Sequence, residues 1–145
     1  MKMTDGLIKN PSGNVAIEFA IILPIVFLML SGVLNFGLIL ANQNQLNAVA
    51  SVGMLYAFGN SSSPAAVKTA MQNATTNLTP LTVTATQFCQ CSNGTNIACS
   101  KTCTGGVVPG TYVTVTANSQ VNLIALDYLL TNPFVTSVQG TIRTN

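Results

Sequence analysis

Hydropathy along the chain falls into three regimes. From Phe19 to Leu34 it reads FAIILPIVFLMLSGVL without a charge, and after Asn35 it continues FGLILA to Ala41. At 1.5 Å per residue that stretch makes about 34 Å of helix, enough to cross a bilayer core of about 30 Å. Core helices seldom stay apolar on every face for so long, so a membrane-spanning helix is expected. Beyond Ala41 the pattern turns amphipathic. Asn42, Gln43, Asn44, Gln45 and Asn47 supply polar positions, while Leu46, Val49, Gly53 and Tyr56 recur at helical spacing on one face. One unbroken helix to about Phe58 is therefore predicted, ended by Gly59-Asn60-Ser61-Ser62-Ser63. Ser63-Pro64 reads as an N-cap followed by proline in the first turn, opening a second helix to about Thr76.

From Leu81 the period changes to two. Leu81, Val83 and Ala85 alternate with Thr82, Thr84 and Thr86, the pattern of a half-buried strand. Thr111 to Ala117 repeats it, with Val113, Val115 and Ala117 set against Tyr112, Thr114 and Thr116. Phe134 to Arg143 gives a third strand with Phe134, Val138 and Ile142 on one face. The fold class expected is α+β: a long N-terminal helix whose amphipathic end packs on a small antiparallel sheet. Asp127-Tyr128 reads as a turn or short helix with Asp127 solvated.

Composition narrows the function. Charged residues make up only 6% of the 145 residues, against about 25% in an ordinary soluble domain. Histidine is absent and the acids are Asp5, Glu18 and Asp127. A histidine-dependent triad, a HExxH metal site and a paired-carboxylate hydrolase cannot be built from that inventory. The expectation is no enzyme, no catalytic residue and no cofactor. A net charge of +2 without a Lys/Arg stripe gives no nucleic-acid footprint. Lys2 and Lys9 precede the apolar stretch, so its N-terminal end should stay cytoplasmic and the C-terminal part should be exported.

Four cysteines, Cys89, Cys91, Cys99 and Cys103, lie in that exported part as C-x-C-x7-C-x3-C. An even count in an oxidising compartment points to disulfides rather than a four-thiolate zinc site, so no metal is expected. Pairing Cys89 with Cys91 would join next-but-one neighbours of a strand, about 6.5–7 Å apart and at the strained limit. Two connectivities remain: Cys89–Cys103 with Cys91–Cys99, or Cys89–Cys99 with Cys91–Cys103. The nested first option suits a hairpin turning through Ser92-Asn93-Gly94-Thr95-Asn96 and is preferred.

The junction Pro11-Ser12-Gly13-Asn14-Val15-Ala16-Ile17-Glu18-Phe19 carries the most specific signal. An ionised carboxylate costs about 2.5–3.5 kcal/mol at mid-helix in a membrane, so Glu18 at the edge of the span calls for a role beyond anchoring. Cleavage after Gly13 would leave the α-amino group of Asn14 one helical turn before Glu18. In a helical assembly each Glu18 would pair with the amino terminus of a neighbouring subunit, neutralising both groups and fixing register. Gly13 followed by Glu18-Phe19, then an apolar helix with Leu23-Pro24, resembles a class III signal of type IV pilin-like proteins. The longer run GNVAIEFAIILPIVFLMLSGVLNFG, Gly13 to Gly37, is similar to the TadE-like family, minor pilins (pseudopilins) of tight-adherence Flp/Tad pili. Members often carry an acid before the closing Phe-Gly, where this chain has Asn35-Phe36-Gly37.

The resemblance implies a pilin-like fold and three segments: a prepilin leader over 1–13, a transmembrane and assembly helix over 14–41, and an exported domain over 42–145. It also implies cutting by a prepilin peptidase between Gly13 and Asn14. Glu18, Phe19 and Pro24 become the assembly residues, Pro24 either as an assembly hinge or as a neutral lipid-facing kink. The implied partners are the peptidase, major and other minor pilins, the inner-membrane assembly platform and membrane lipid. Two other readings of the same sequence are a membrane-anchored binding module that never polymerises, and a secreted protein cut after Ala48-Val49-Ala50.

Overall fold

The computed structural model describes residues 11–60, 63–75, 77–124 and 132–144, with side chains from Val15 onward. Lys2, Asp5 and Lys9 of the expected leader, Thr76 and the Asp127-Tyr128 turn lie outside the described residues.

The first element, α1 (Pro11–Gly59), is a single helix of 49 residues with Pro24 inside it, about 73 Å long at 1.5 Å per residue. It lives in two environments. Large apolar side chains from Val15 to Leu34 face outward, Phe19 and Phe27 among them. Further on, Leu46, Val49, Ala50 and Ala57 are essentially inaccessible and form the core with the sheet. Tyr56, expected on the core face, is 40% exposed, and Ala57 takes that place. The reason is rotation per residue. Eleven steps of 100° bring Ala57 to within about 20° of Leu46, whereas Tyr56 falls about 80° away.

The second helix, α2 (Pro64–Asn73), stops short of the expected end and buries Val67 and Met71. Ser63 precedes Pro64 as read from the sequence, but its side chain makes no capping bond. Its carbonyl instead accepts from the Val67 N–H at 3.2 Å. Met71 lies against Gly53, where an added Cβ would sit 2.6 Å from Met71 Cγ and 3.3 Å from Val115 Cγ1. Glycine at that position is what lets α1, α2 and the sheet meet.

Four antiparallel strands follow: β1 (Leu81–Gln90), β2 (Asn96–Ile97), β3 (Gly110–Val121) and β4 (Phe134–Arg143), in the spatial order β2-β1-β3-β4. The three strands expected from alternation are present, and β1 and β3 run longer than their alternating cores. β2 is the addition. Val113, Val115 and Ala117 of β3 are buried toward α1, and Val83 of β1 is buried on the side covered by α2, as the period-two pattern predicts. Among the outward threonines, Thr114 and Thr141 pair hydroxyl to hydroxyl at 2.8 Å. The architecture is α+β, a long apolar helix laid on an antiparallel sheet.

All four cysteines are paired, as Cys89–Cys99 and Cys91–Cys103. The preferred nested connectivity is therefore corrected, although the turn that suggested it exists. Cys91 N–H donates to Thr95 O at 2.9 Å, and Gly94 has φ +84°. Register explains the outcome. Cys89 lies opposite Ile97, so Cys99 is its diagonal neighbour, within cross-strand reach. Cys91 would lie opposite Thr95, too far back for Cys99, and Cys103 returns to it instead. Each loop is short, with separations of 10 and 12 residues, and each bridge is expected to contribute about 2–3 kcal/mol. Reduction should lower the unfolding temperature of the domain while helix content persists, measured by circular dichroism with and without reductant. An unchanged melting curve would show that the bridges are mechanically idle.

Candidate functional site

The chemistry-bearing features gather along α1 rather than in a pocket. At its N-terminal end the backbone of Gly13 and Asn14 is already helical. Glu18 and Phe19 follow on an exposed surface, Phe19 at 64%. Among the described residues none pairs with the Glu18 carboxylate, so its charge is presented outward at the mouth of the apolar segment. Pro24 also faces outward and is accommodated within the continuous helix. Proline removes one i to i−4 bond, a loss transmembrane helices tolerate.

Where the helix meets the domain, two asparagines take over. Asn35 is 2% exposed despite lying in the apolar stretch. Its Nδ2 donates to Ser31 O and to Ile124 O, both at 2.7 Å, and its Oδ1 accepts the Ile124 N–H at 2.6 Å. One side-chain amide thus satisfies both backbone polar groups of Ile124, 89 residues away. Two turns later Asn42 accepts from the Thr136 hydroxyl at 2.5 Å and its Nδ2 donates to Ser119 Oγ at 3.3 Å. The Thr136 hydroxyl also lies 3.3 Å from Ser119 O. Among the described residues no buried side-chain nitrogen or oxygen is left without a partner, as low-dielectric surroundings require.

These contacts fix where the free helix ends. Among the described residues the first bond from α1 to another element is at Asn35, and from Val15 to Leu34 every residue is exposed except half-buried Ser31 and Gly32. Twenty residues rise about 30 Å, the thickness of a hydrocarbon core. An 18-residue window in this helix is wholly unburied with a mean hydropathy of 2.5, long and apolar enough to span a membrane.

Residues 13–54 match the family model of TadE-like protein. The N-terminal arm is similar to the TadE-like family. The matched segment starts at Gly13, contains Glu18, Phe19, Pro24 and Asn35, and ends at Met54 beside the close-packed Gly53. The TadE-like family suggests a Tad pilus-associated protein and, with it, association with pilus components. No curated protein and no solved structure matches the chain. The sheet and the disulfide-bonded loops lie outside the TadE-like match.

The structure brings together residues that sequence reasoning did not connect. Asn35 was legible only as an interruption of the apolar run, and Asn42 only as part of a polar cluster. Their seven-residue spacing puts both on one face of α1, which is the signal that would have joined them. Glu18, on the exposed part of α1, and the cysteines, on β1 and the loops that follow it, do not form one site.

Proposed function

We propose that this chain is a minor pilin (pseudopilin) of a Tad/Flp-type pilus. It would be cut by a prepilin peptidase between Gly13 and Asn14, held in the inner membrane by α1, and incorporated among major and other minor pilins at an assembly platform. In this reading the N-terminal side is cytoplasmic before cutting and the disulfide-bonded domain is exported. The protein has a structural, non-catalytic role in surface adherence. The observation that carries the proposal is one continuous helix with an exposed apolar half headed by Glu18 and a second half built into a domain core. Such a helix anchors the subunit in lipid and then offers the same apolar surface to neighbouring helices.

The secreted-protein alternative fares poorly on packing grounds. Val49 and Ala50 are 1% exposed within the core, so cutting after Ala50 would strip Leu46, Val49 and Ala50 from the fold along with the Asn35 and Asn42 bonds. A non-polymerising anchored module shares the helix but gives Glu18 no partner. Mature protein is expected to begin at Asn14, read by N-terminal sequencing. Gly13→Leu should leave the full-length precursor in the membrane. A mature chain that begins at Met1 or Ser51 would sink the pilin reading.

A further inference from the structure

The loop leaving β3 has an unusual attachment. Leu123 N–H donates to Asn132 Oδ1 at 3.1 Å, and the N–H and C=O of Ile124 are both held by the Asn35 side chain. Consecutive backbone groups of an irregular segment are thus satisfied by side-chain amides rather than by a strand or by solvent. In hydrocarbon or at its boundary each unsatisfied group would cost several kcal/mol, so irregular backbone is tolerated there only when its polar groups are internally paired. The Ile124 side chain meanwhile is 56% exposed, and Leu34 and Leu38, which flank its partner Asn35 on the helix, are 60% and 41% exposed. From Phe19 to Val67 the helical side of this region carries no charge. The exposed span that precedes Asn35 is also just long enough to fill a bilayer core.

We propose that Ile124, clamped on Asn35, is a second membrane contact that inserts into the lipid interface beside α1. The domain would then sit directly on the bilayer with one fixed tilt, rather than swing on the helix as on a stalk. This rests on the reading of α1 as a membrane helix. The occupant is lipid because Asn35 ties Ile124 to the helix where exposed Leu34 and Leu38 carry on the apolar surface of α1, and because its backbone is paired as a lipid-facing segment requires.

The chain has no tryptophan, which permits a clean test. Three single-tryptophan variants of the full chain, Phe27→Trp, Ile124→Trp and Leu55→Trp, would be reconstituted alone in vesicles whose lipids carry bromine either near the headgroup or near the chain ends. Leu55 is 77% exposed on the domain half of α1 and serves as the outside reference. Ile124→Trp is expected to lose most of its emission with bromine near the headgroup and much less with bromine near the chain ends. Phe27→Trp should show the opposite preference, and Leu55→Trp should be quenched by neither. Adding Asn35→Ala to Ile124→Trp should abolish the shallow quenching while Phe27→Trp with Asn35→Ala keeps its own.

Ile124→Trp unquenched by either lipid, with Phe27→Trp still quenched, would overturn the second contact and leave the membrane helix standing. Blue-shifted but unquenched Ile124→Trp emission would mean a protein neighbour covers the residue, which also overturns it. Loss of quenching at Phe27→Trp would instead remove the membrane reading on which the inference rests.

Discussion

A Glu18→Gln subunit is expected to be made, inserted and cut normally, yet to be missing from fibres. The substitution keeps the side chain's shape and removes its charge. Insertion should be at least as efficient, since a neutral amide is cheaper to place in lipid than an ionised acid. Cutting should proceed because the bond between Gly13 and Asn14 precedes the apolar span. Docking should fail, because an incoming neighbour's α-amino group would enter an apolar helix bundle with no countercharge. Truncating one member of a desolvated ion pair typically costs 3–5 kcal/mol, equivalent to roughly a hundredfold or greater loss of association. The measurement compares mature protein in the membrane, co-purification with other pilin subunits, and surface fibres for wild type and mutant. Normal fibres and normal co-purification would reduce Glu18 to a residue snorkelling at the boundary.

Gly53→Val is expected to destabilise the domain by about 3 kcal/mol, the upper part of the range for overpacking a filled core. The first added carbon would already stand 2.6 Å from Met71 Cγ and 2.7 Å from Met71 Sδ, and Met71 is fully buried with little room to withdraw. The same carbon would stand 3.3 Å from Cγ1 of Val115, itself inaccessible, and two further methyl groups would have to be placed in this filled space. A helix normally gains up to about 1 kcal/mol when glycine is replaced, so the sign of the outcome separates packing from propensity. Chemical denaturation of the oxidised domain in detergent gives the number. A stabilised variant would mean that α2 is free to move off α1.

The elements that sequence alone made legible are those whose pattern is local. Alternating valines and threonines in β1 and β3 announce both the strands and the buried face, since side chains in a strand have period two. The exposed apolar run with Glu18 at its head is equally readable, because span length and charge cost depend on composition rather than on tertiary contacts. The parts that escaped are set by registration between distant segments. Whether Cys89 meets Cys99 or Cys103 depends on Ile97 lying opposite Cys89, which the two-residue β2 decides. Asn35 reads in the sequence only as a break in the apolar run, because its partner, Ile124, is 89 positions away. Ala57 displaced Tyr56 from the core through a rotation too fine for a four-residue pattern to register.

The path of α1 across the sheet has a mechanical consequence. Asn35 bonds Ile124 just past the end of β3, Asn42 bonds Ser119, and Gly53 packs beside Val115. As α1 advances, β3 recedes, so the helix lies lengthwise along that strand. A pull on the domain along the helix axis therefore loads these contacts in shear, all at once. A sideways pull would peel them one at a time. Shear at shared contacts resists rupture far better than peeling, and forced unfolding is governed by the rate at which that first barrier is crossed. If the helix is held in a fibre while the domain grips a surface, tension runs along the direction in which the subunit is strongest.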